Sequence, residues 1–198
     1  MYVIGLTGGI ASGKSTVADI LKKDSDVLHI DADIIAKQLY LPGNIGYEPI
    51  IREFGREYIA GNGFIDTKKL GGLVFSCDKA RQKLNNLLHP LLKEEIKCIL
   101  NNALLPIAII DAALIFEAKL NSLCDTVWLV YADVETRKRR IMRRNSLSEI
   151  EALDRIRSQK SDDFYFEHAD VIINNNGSEN DLKKKVEDLL YDAKKTRK

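Results

Sequence analysis

The most informative feature of the chain is a glycine-rich octapeptide at residues 8–15, which reads Gly-Gly-Ile-Ala-Ser-Gly-Lys-Ser. Its pattern of glycine, four residues, glycine, lysine and serine is typical of a phosphate-binding loop, called the phosphate loop below. Glycines let successive backbone N–H groups curve around a phosphate, and a helix predicted after them directs its unpaired N–H groups at the same anion. Lys14 would reach the β- and γ-phosphates, and the Ser15 hydroxyl would hold Mg²⁺.

The residues predicted to bind the triphosphate share this loop and the first turn of its helix. They are Gly9, Ile10, Ala11, Ser12, Gly13, Lys14, Ser15 and Thr16. The alternative is a glycine-rich turn between a strand and a helix. The motif does not specify the reaction, because the same fold supports kinases, GTPases and motor ATPases.

Two aspartates, Asp31 and Asp33, follow the second predicted strand. Carboxylates two residues apart point to the same side of an extended chain, and ligands of open parallel sheets lie at the carboxyl ends of the strands. Asp31 could hold or orient hydrated Mg²⁺, while Asp33 could accept the proton of an attacking hydroxyl. The alternative is that Asp33 caps a helix beginning at Ile34, which explains only one of the two aspartates.

A third aspartate, Asp111, follows the four apolar residues Ile107-Ala108-Ile109-Ile110. Four residues of this kind before an aspartate are typical of a strand whose terminal carboxylate serves magnesium. A terminal aspartate is also common in ordinary turns, so the assignment of Asp111 to magnesium is supported only together with the phosphate loop.

A helix predicted at 134–144 is rich in arginine. The spacing places Arg137, Arg140 and Arg144 on one face, with Ile141 turned toward the core. Such a row stabilises charge on a transferring phosphoryl group and often belongs to a lid that closes over ATP. The alternatives are a solvated basic face and an RNA surface. The RNA interpretation is the weaker one, since the helix lacks interleaved aromatic residues and the chain is not strongly basic.

The elements that must position these residues alternate between short apolar runs and longer amphipathic stretches. The predicted strands are 2–7, 27–31, 107–111, 126–131 and 171–174. Residues 34–102 are predicted to be mostly helical, with Pro90 in the first turn of a helix at 91–101. Further helices are predicted from Glu149 to about Gln159, with Ser148 and Glu151 as a capping box, and after Ser178. Asn174, Asn175 and Asn176 favour a turn, although an asparagine here could also meet a purine ring.

Composition restricts the class of protein. The chain has 198 residues, 45% of them hydrophobic, and a formal net charge of +1. One domain is therefore expected, and so small a net charge does not attract nucleic acid or an anionic membrane to the chain as a whole. Three separate cysteines and three scattered histidines do not have the spacing of a zinc or iron site. No apolar stretch reaches membrane-spanning length and the N-terminus lacks a secretory pattern, so we expect a cytoplasmic protein.

The chain resembles the dephospho-coenzyme A kinase family from Tyr2 to about Leu190. The resemblance begins with Ile4-Gly5-Leu6-Thr7 and the phosphate loop, and continues with Asp31-Ala32-Asp33 and His89-Pro90. Later motifs that share the family's order and spacing are Leu114-Ile115-Phe116-Glu117, Arg155-Ile156 with Gln159, Ala169-Asp170, and Asn175 with Gly177 and Ser178.

This resemblance implies an α/β fold of the P-loop nucleoside-triphosphate hydrolase type, a three-layer sandwich around a five-stranded parallel sheet. It implies a single kinase domain with a core at about 1–32, 103–138 and 169–198, a helical acceptor-binding insertion at about 33–102 and a lid at about 139–168. The implied reaction transfers the γ-phosphoryl of ATP to the 3′-hydroxyl of the ribose of dephospho-coenzyme A, with Mg²⁺ as cofactor.

The resemblance also implies the residue roles. Asp33, Lys14 and Arg140 would be catalytic, with Asp33 as general base. Arg140 and Arg144 would bind the phosphates, and Asn175 would contact adenine. Arg81 and His89 would bind the acceptor beside Asp33. Ser15, Asp31 and Asp111 would serve the metal.

Three departures bear on acceptor binding and lid closure: Ala113, Thr67 and Tyr165 stand where the family usually has proline, arginine and lysine. Another P-loop nucleoside or nucleotide kinase is the alternative within the same class. A GTPase-like switch and an ATP-binding regulator without turnover are alternatives from other classes, although the chain contains no N-K-x-D or T-K-x-D guanine-reading motif. We expect a monomer or small homo-oligomer.

Overall fold

A computed structural model describes residues 1–196. It divides the chain into two compact units. The first unit contains Met1–Ile30, Ala103–Phe116 and the chain from Leu120 onward. The second contains Asp31–Asn102 and Glu117–Lys119. Within residues 1–196, no helix is long and apolar enough to cross a membrane.

The first unit is built on a five-stranded parallel sheet. Its strands are β1 (Tyr2–Gly8), β2 (Val27–Asp31), β3 (Ile107–Asp111), β4 (Thr126–Tyr131) and β5 (Val171–Asn174), in the order β2-β3-β1-β4-β5. Every residue of β3 is buried, as expected of a strand covered on both faces. The predicted strands are confirmed, and β1 continues one residue further, to Gly8.

The helices follow the predicted alternation. In chain order they are α1 (Lys14–Leu21), α2 (Ala32–Leu39), α3 (Tyr47–Phe54), α4 (Thr67–Ser76), α5 (Asp78–Asn102), α6 (Val134–Asn145), α7 (Glu149–Arg157), α8 (Asp162–His168) and α9 (Glu179–Thr196). Short 3-10 turns occur at Arg56–Tyr58 and Leu120–Leu123. The capping box predicted for Ser148 and Glu151 is present, and the Ser178 hydroxyl accepts from the N–H of Asp181.

The main core lies between the sheet and the pair α1 and α9. Apolar side chains at helical spacing on α1, such as Val17 and Leu21, pack in one cluster with Val186 of α9 and with Ile4 and Leu6 of β1. Burial of such side chains contributes about 1.5–3 kcal/mol each. This packing fixes the end of β1 and the start of α1, between which the phosphate loop lies.

The second unit is almost entirely helical. Side chains of α3, α4 and α5 pack on a small core of Ile50, Ile65 and Leu70, and an isolated antiparallel bridge joins Ile59 to Ile65.

The helix boundary predicted at Pro90 is wrong. Helix α5 runs without interruption from Asp78 to Asn102 and contains Pro90. Leu87 and Leu88 pack against the small core before the proline, and Leu92 and Ile96 are buried after it. Apolar burial on both sides therefore outweighs the roughly 3 kcal/mol that an internal proline costs a helix.

Candidate active site

The phosphate loop joins β1 to α1 through two residues in left-handed backbone conformations. Ala11 has φ of 59° and Gly13 has φ of 101°. The Ser12 N–H donates to the Gly9 carbonyl at 3.0 Å, which closes the first turn of the loop. Among the residues that the structure describes, no side chain caps the N-terminus of α1. The first N–H groups of this helix are therefore available to an anion, as expected of a phosphate-binding helix terminus.

A cavity of about 600 Å³ opens over this loop. Every residue predicted to bind ATP lines it. They are Gly9, Ile10, Ala11, Ser12, Gly13, Lys14, Ser15, Thr16, Arg144 and Asn175, together with Arg140. The cavity is also lined by Ala113, Gln159, Gly177, Glu179 and Leu182, which the sequence did not mark as binding residues. A triphosphate-sized space thus surrounds the loop in the first unit.

Asp111 forms the charged centre beside the loop. Its carboxylate is paired through Oδ1 with Lys14 Nζ, and through Oδ2 with Nε2 of His29 at 3.2 Å. Burial acts to raise the pKa of the Asp111 carboxyl, but the hydrogen bonds with His29 and Lys14 outweigh it and hold this pKa below its ordinary value. Asp111 is therefore a carboxylate, and its partner His29 on β2 carried no signal in the sequence.

The three arginines predicted to share a face of α6 have different partners. Arg137 is 4% exposed and binds both carboxylate oxygens of Asp162, at 2.8 and 3.0 Å. Arg144 is exposed and its Nε donates to Asn145. The spacing predicts a shared face for the three arginines but not this partner: the charge of Arg137 is buried and paired with Asp162.

Arg140 holds the backbone of the phosphate loop. Its Nη1 donates to the carbonyls of Ala11 and Ser12 at 3.2 and 3.1 Å, and its Nη2 donates to the carbonyl of Asn175 at 2.9 Å. Helix α6 can present Arg140 in this way because Ile141 is fully buried against Ala152 and Ile156 of α7, with Ile10 and Ala11 packed on the same cluster.

Asn175 lies in the turn that the sequence favoured, directly after β5. Its side chain is buried, and Nδ2 donates to the Ser12 carbonyl at 2.7 Å. Together Asn175 and Arg140 bind the two carbonyls at the tip of the loop. The proposed contact of Asn175 with adenine stays a prediction.

Gln159 is a residue that the sequence did not mark as part of the site. It follows the end of α7, and its Oε1 accepts from the N–H of Ile10 at 2.7 Å. The only signal was its place in the family resemblance, because 149 residues separate the two partners. Local sequence patterns do not show contacts at such a distance.

The residues present fit a magnesium ion bound together with phosphate. Ser15 is exposed in the first turn of α1 and Asp111 supplies a carboxylate, so the donors are the hard oxygens that Mg²⁺ prefers. Within residues 1–196 no group of three or more histidines, cysteines, aspartates or glutamates could hold a metal alone.

Asp31 makes the helix-capping contact that the sequence analysis considered for Asp33. The Asp31 carboxylate accepts from the N–H of Ile34 at 2.9 Å and caps α2, which begins at Ala32. The capping alternative for Asp33 is therefore wrong, since Asp33 lies in the first turn of that helix and is exposed.

Two further residues predicted to bind the acceptor, Arg81 and His89, lie on α5 in the second unit. Arg81 pairs with Asp78 at 2.8 Å near the start of the helix. His89 follows eight residues later, about 12 Å along the helix axis. Burial lowers the pKa of His89 below 6.5, although a hydrogen bond with the backbone of Glu117 acts in the opposite direction.

The departures from the family pattern occupy three different environments. Ala113 lines the cavity over the phosphate loop, and Thr67 is the first residue of α4. Tyr165 is 3% exposed and packs against the rings of Phe116 and Phe164. An aromatic residue thus fills apolar space where the family frequently has a lysine.

The parallel sheet, the phosphate loop and the surrounding helices define a kinase of the P-loop fold. The same fold occurs in the shikimate kinase from Acinetobacter baumannii, solved in complex with shikimate, which has a TM-score of 0.55 and 17% identity over 97% of this chain and 94% of that one.

More specific comparisons identify the family. The dephospho-CoA kinase family matches residues 2–181. A dephospho-CoA kinase from Oceanobacillus iheyensis is 41% identical over 193 residues, which cover 95% of this chain and 96% of that protein. The solved dephospho-CoA kinase from Campylobacter jejuni has a TM-score of 0.73 and 27% identity, and the match covers 99% of this chain and 98% of that one. The chain belongs to the dephospho-CoA kinase family, which confirms the resemblance.

We expect Gly13→Ala to weaken ATP binding by at least about tenfold. Alanine is strained at the φ of Gly13, a strain of about 1–3 kcal/mol, and the added Cβ would overlap Nδ2 of Asn175. Calorimetric titration with ATP measures the loss. The matched control is Gly71→Ala in α4, where no atom of residues 1–196 beyond the adjoining helix backbone lies within 4 Å of the new Cβ. This control should keep its ATP affinity and gain about 0.5–1 kcal/mol in unfolding free energy. Equal ATP affinities in the two variants would contradict the loop geometry.

We expect His89 to make the chain less stable in acid. Because the folded pKa lies below 6.5, the unfolded chain takes up the proton first, and stability falls as the pH drops below 6.5 until the folded pKa is passed. Urea unfolding at pH 7, 6 and 5 should show a smaller decrease for His89→Asn than for wild type. Gln82→Asn, at an exposed and uncharged residue of the same helix, is the control and should follow the wild type. Parallel curves for all three proteins would refute this assignment.

Proposed function

We propose that the chain transfers the γ-phosphoryl group of ATP to the 3′-hydroxyl of the ribose of dephospho-coenzyme A, which gives coenzyme A and ADP. This proposal rests on the phosphate loop and the cavity that opens over it. It is supported by the match of residues 2–181 to the dephospho-CoA kinase family. The alternative of another nucleoside or nucleotide kinase has no support from the comparisons.

The triphosphate would lie along the N–H groups of the phosphate loop and the first turn of α1. Lys14 is paired with Asp111, so its ammonium group would exchange a carboxylate oxygen for phosphate oxygens when ATP binds. Both are charge-assisted interactions, and the exchange therefore leaves the lysine paired in each state. His29 would retain its bond to Asp111 and keep this carboxylate oriented.

Mg²⁺ would be held by Ser15 and Asp111, with Asp31 as a further carboxylate. When bound, it neutralises charge on the β- and γ-phosphate oxygens. Because one oxygen of Asp31 already caps α2, we expect Asp31 to contribute less than Asp111.

The acceptor hydroxyl must lose a proton as it attacks, and we assign this proton to Asp33. The residue is a carboxylic acid in the first turn of α2, exposed to solvent and two residues beyond the end of β2. Arg81 and His89 would bind other groups of the acceptor. Arg140 and Arg144 would stabilise negative charge on the transferring group, and Asn175 would contact adenine. Action in the cytoplasm, as a monomer or small homo-oligomer, stays a prediction.

The activity is tested by incubating the pure protein with Mg²⁺, ATP and a panel of acceptors while ADP release is followed. We expect release only with dephospho-coenzyme A, and phosphorus NMR should place the new phosphate on the ribose 3′-oxygen. Nucleosides and nucleoside monophosphates are the comparison acceptors. Transfer to one of them would favour the alternative kinase, and ADP release without any acceptor would indicate an ATPase or a switch.

We expect Asp33→Asn to lower turnover by roughly a factor of 10² to 10⁴, because amide nitrogen and oxygen cannot take the proton. ATP affinity should change little, since Asp33 is not assigned to the triphosphate. Steady-state kinetics and an ATP titration measure the two quantities separately. Asp188→Asn makes the same replacement at an exposed position of α9 and is the control. A turnover number near that of wild type would show that Asp33 does not take the proton of the acceptor hydroxyl.

A further inference from the structure

The peptide unit between Gly9 and Ile10 is hydrogen-bonded at both ends. The Gly9 carbonyl accepts from the Ser12 N–H at 3.0 Å, inside the loop. The Ile10 N–H donates to Oε1 of Gln159 at 2.7 Å, outside the loop. Rotation of this peptide plane would break both bonds. Within residues 1–196, the only hydrogen-bond partner of this peptide unit outside the loop is the Gln159 amide.

Gln159 is placed by fixed points on either side of it in the chain. Its own N–H donates to the Ile156 carbonyl at 3.2 Å, at the end of α7, and Ile156 is buried in the cluster that includes Ile10. Three residues later, Asp162 binds the buried Arg137 at 2.8 and 3.0 Å. The side chain of Gln159 is therefore presented by a segment held at both ends, which gives its single acceptor a defined position.

Gly9 leaves room for this arrangement. A Cβ added at Gly9 would lie 2.5 Å from Nη1 of Arg137 and 3.4 Å from Oε1 of Gln159. The loop backbone thus packs directly on these two side chains. Only the absence of a side chain at Gly9 permits so close an approach.

The neutrality of Gln159 also fits a position on a triphosphate cavity. A glutamate could accept the same bond from Ile10, but it would place a negative charge on the lining of the cavity. Repulsion between this charge and a triphosphate would oppose binding. A glutamine supplies the acceptor without the charge.

We propose that Gln159 is a positioning residue that fixes the orientation of the Gly9–Ile10 peptide and thereby prepares the phosphate loop for its anion. Gln159 acts through the loop, so its effect is the same for any nucleotide whose phosphates occupy the loop. This inference rests on the proposed binding of ATP but not on the identity of the acceptor.

The experiment compares Gln159→Leu, which removes the acceptor at similar size, with Gln82→Leu at an exposed glutamine of α5 as the matched control. Calorimetry with ATP and with ADP measures affinity. We expect Gln159→Leu to weaken the binding of both nucleotides by the same factor, roughly five- to thirtyfold, as for the loss of one partner of a partly buried hydrogen bond. The KM for ATP should rise accordingly, with the KM for the acceptor unchanged. Gln82→Leu should match the wild type.

A second variant, Gln159→Glu, separates the hydrogen bond from the charge. It retains the acceptor, so its weaker ATP binding should recover as salt screens the added charge, whereas the loss in Gln159→Leu should not depend on salt. Urea unfolding confirms that each variant is folded, and the Glu variant still tests the proposal should the Leu variant fail to fold.

Wild-type affinity for both nucleotides in Gln159→Leu would overturn the inference. Weaker binding of ATP alone would also overturn it, because it would indicate direct contact with the γ-phosphate. Equally weak nucleotide binding in Gln82→Leu would be the third contradicting result. A wild-type protein that phosphorylates a different acceptor would instead overturn the proposed function, and the common loss of ATP and ADP affinity in Gln159→Leu would still support the inference.

Discussion

The structure depends on one constraint, which is that the backbone of the phosphate loop must present N–H groups to an anion while its carbonyls remain satisfied. Buried carbonyls need partners, and a loop that binds phosphate cannot use its own N–H groups for all of them. Arg140 and Asn175 solve this problem by donating to the carbonyls of Ala11 and Ser12. These donors come from α6 and from the end of β5, so the outer strands and their helices serve the loop directly.

The charges around the loop are balanced in the same way. A carboxylate as buried as Asp111 would be strongly unfavourable without partners, and Lys14 and His29 supply one on each oxygen. His29 comes from β2 and Asp111 from β3, two neighbouring strands, while Lys14 begins α1. The order of strands therefore assembles this group from segments that are far apart in the chain.

Much of this structure could be predicted because its signals are local. The strands are short, apolar and bounded by polar residues, and the phosphate loop is one continuous motif between β1 and α1. The contacts of His29 and Gln159 could not be predicted, since their partners lie 82 and 149 residues away. The helix boundary predicted at Pro90 was wrong for a related reason. The prediction used the local rule that a proline interrupts a helix, whereas packing on both sides of Pro90 keeps α5 continuous. Asp31 rather than Asp33 caps α2, because the helix begins two residues earlier than its apolar pattern indicates.

The arginines of α6 show how spacing alone can mislead about function. Residues at i, i+3 and i+7 share a helix face, yet the partners that meet this face differ along its length. Arg137 meets Asp162, Arg140 meets the loop carbonyls, and Arg144 lies at the exposed rim of the cavity. Three hydrogen bonds to backbone carbonyls therefore hold the positive charge of Arg140 beside the loop. Among these three arginines, Arg144 is the exposed one and lines the cavity, whereas Arg140 is hydrogen-bonded to the carbonyls of the loop.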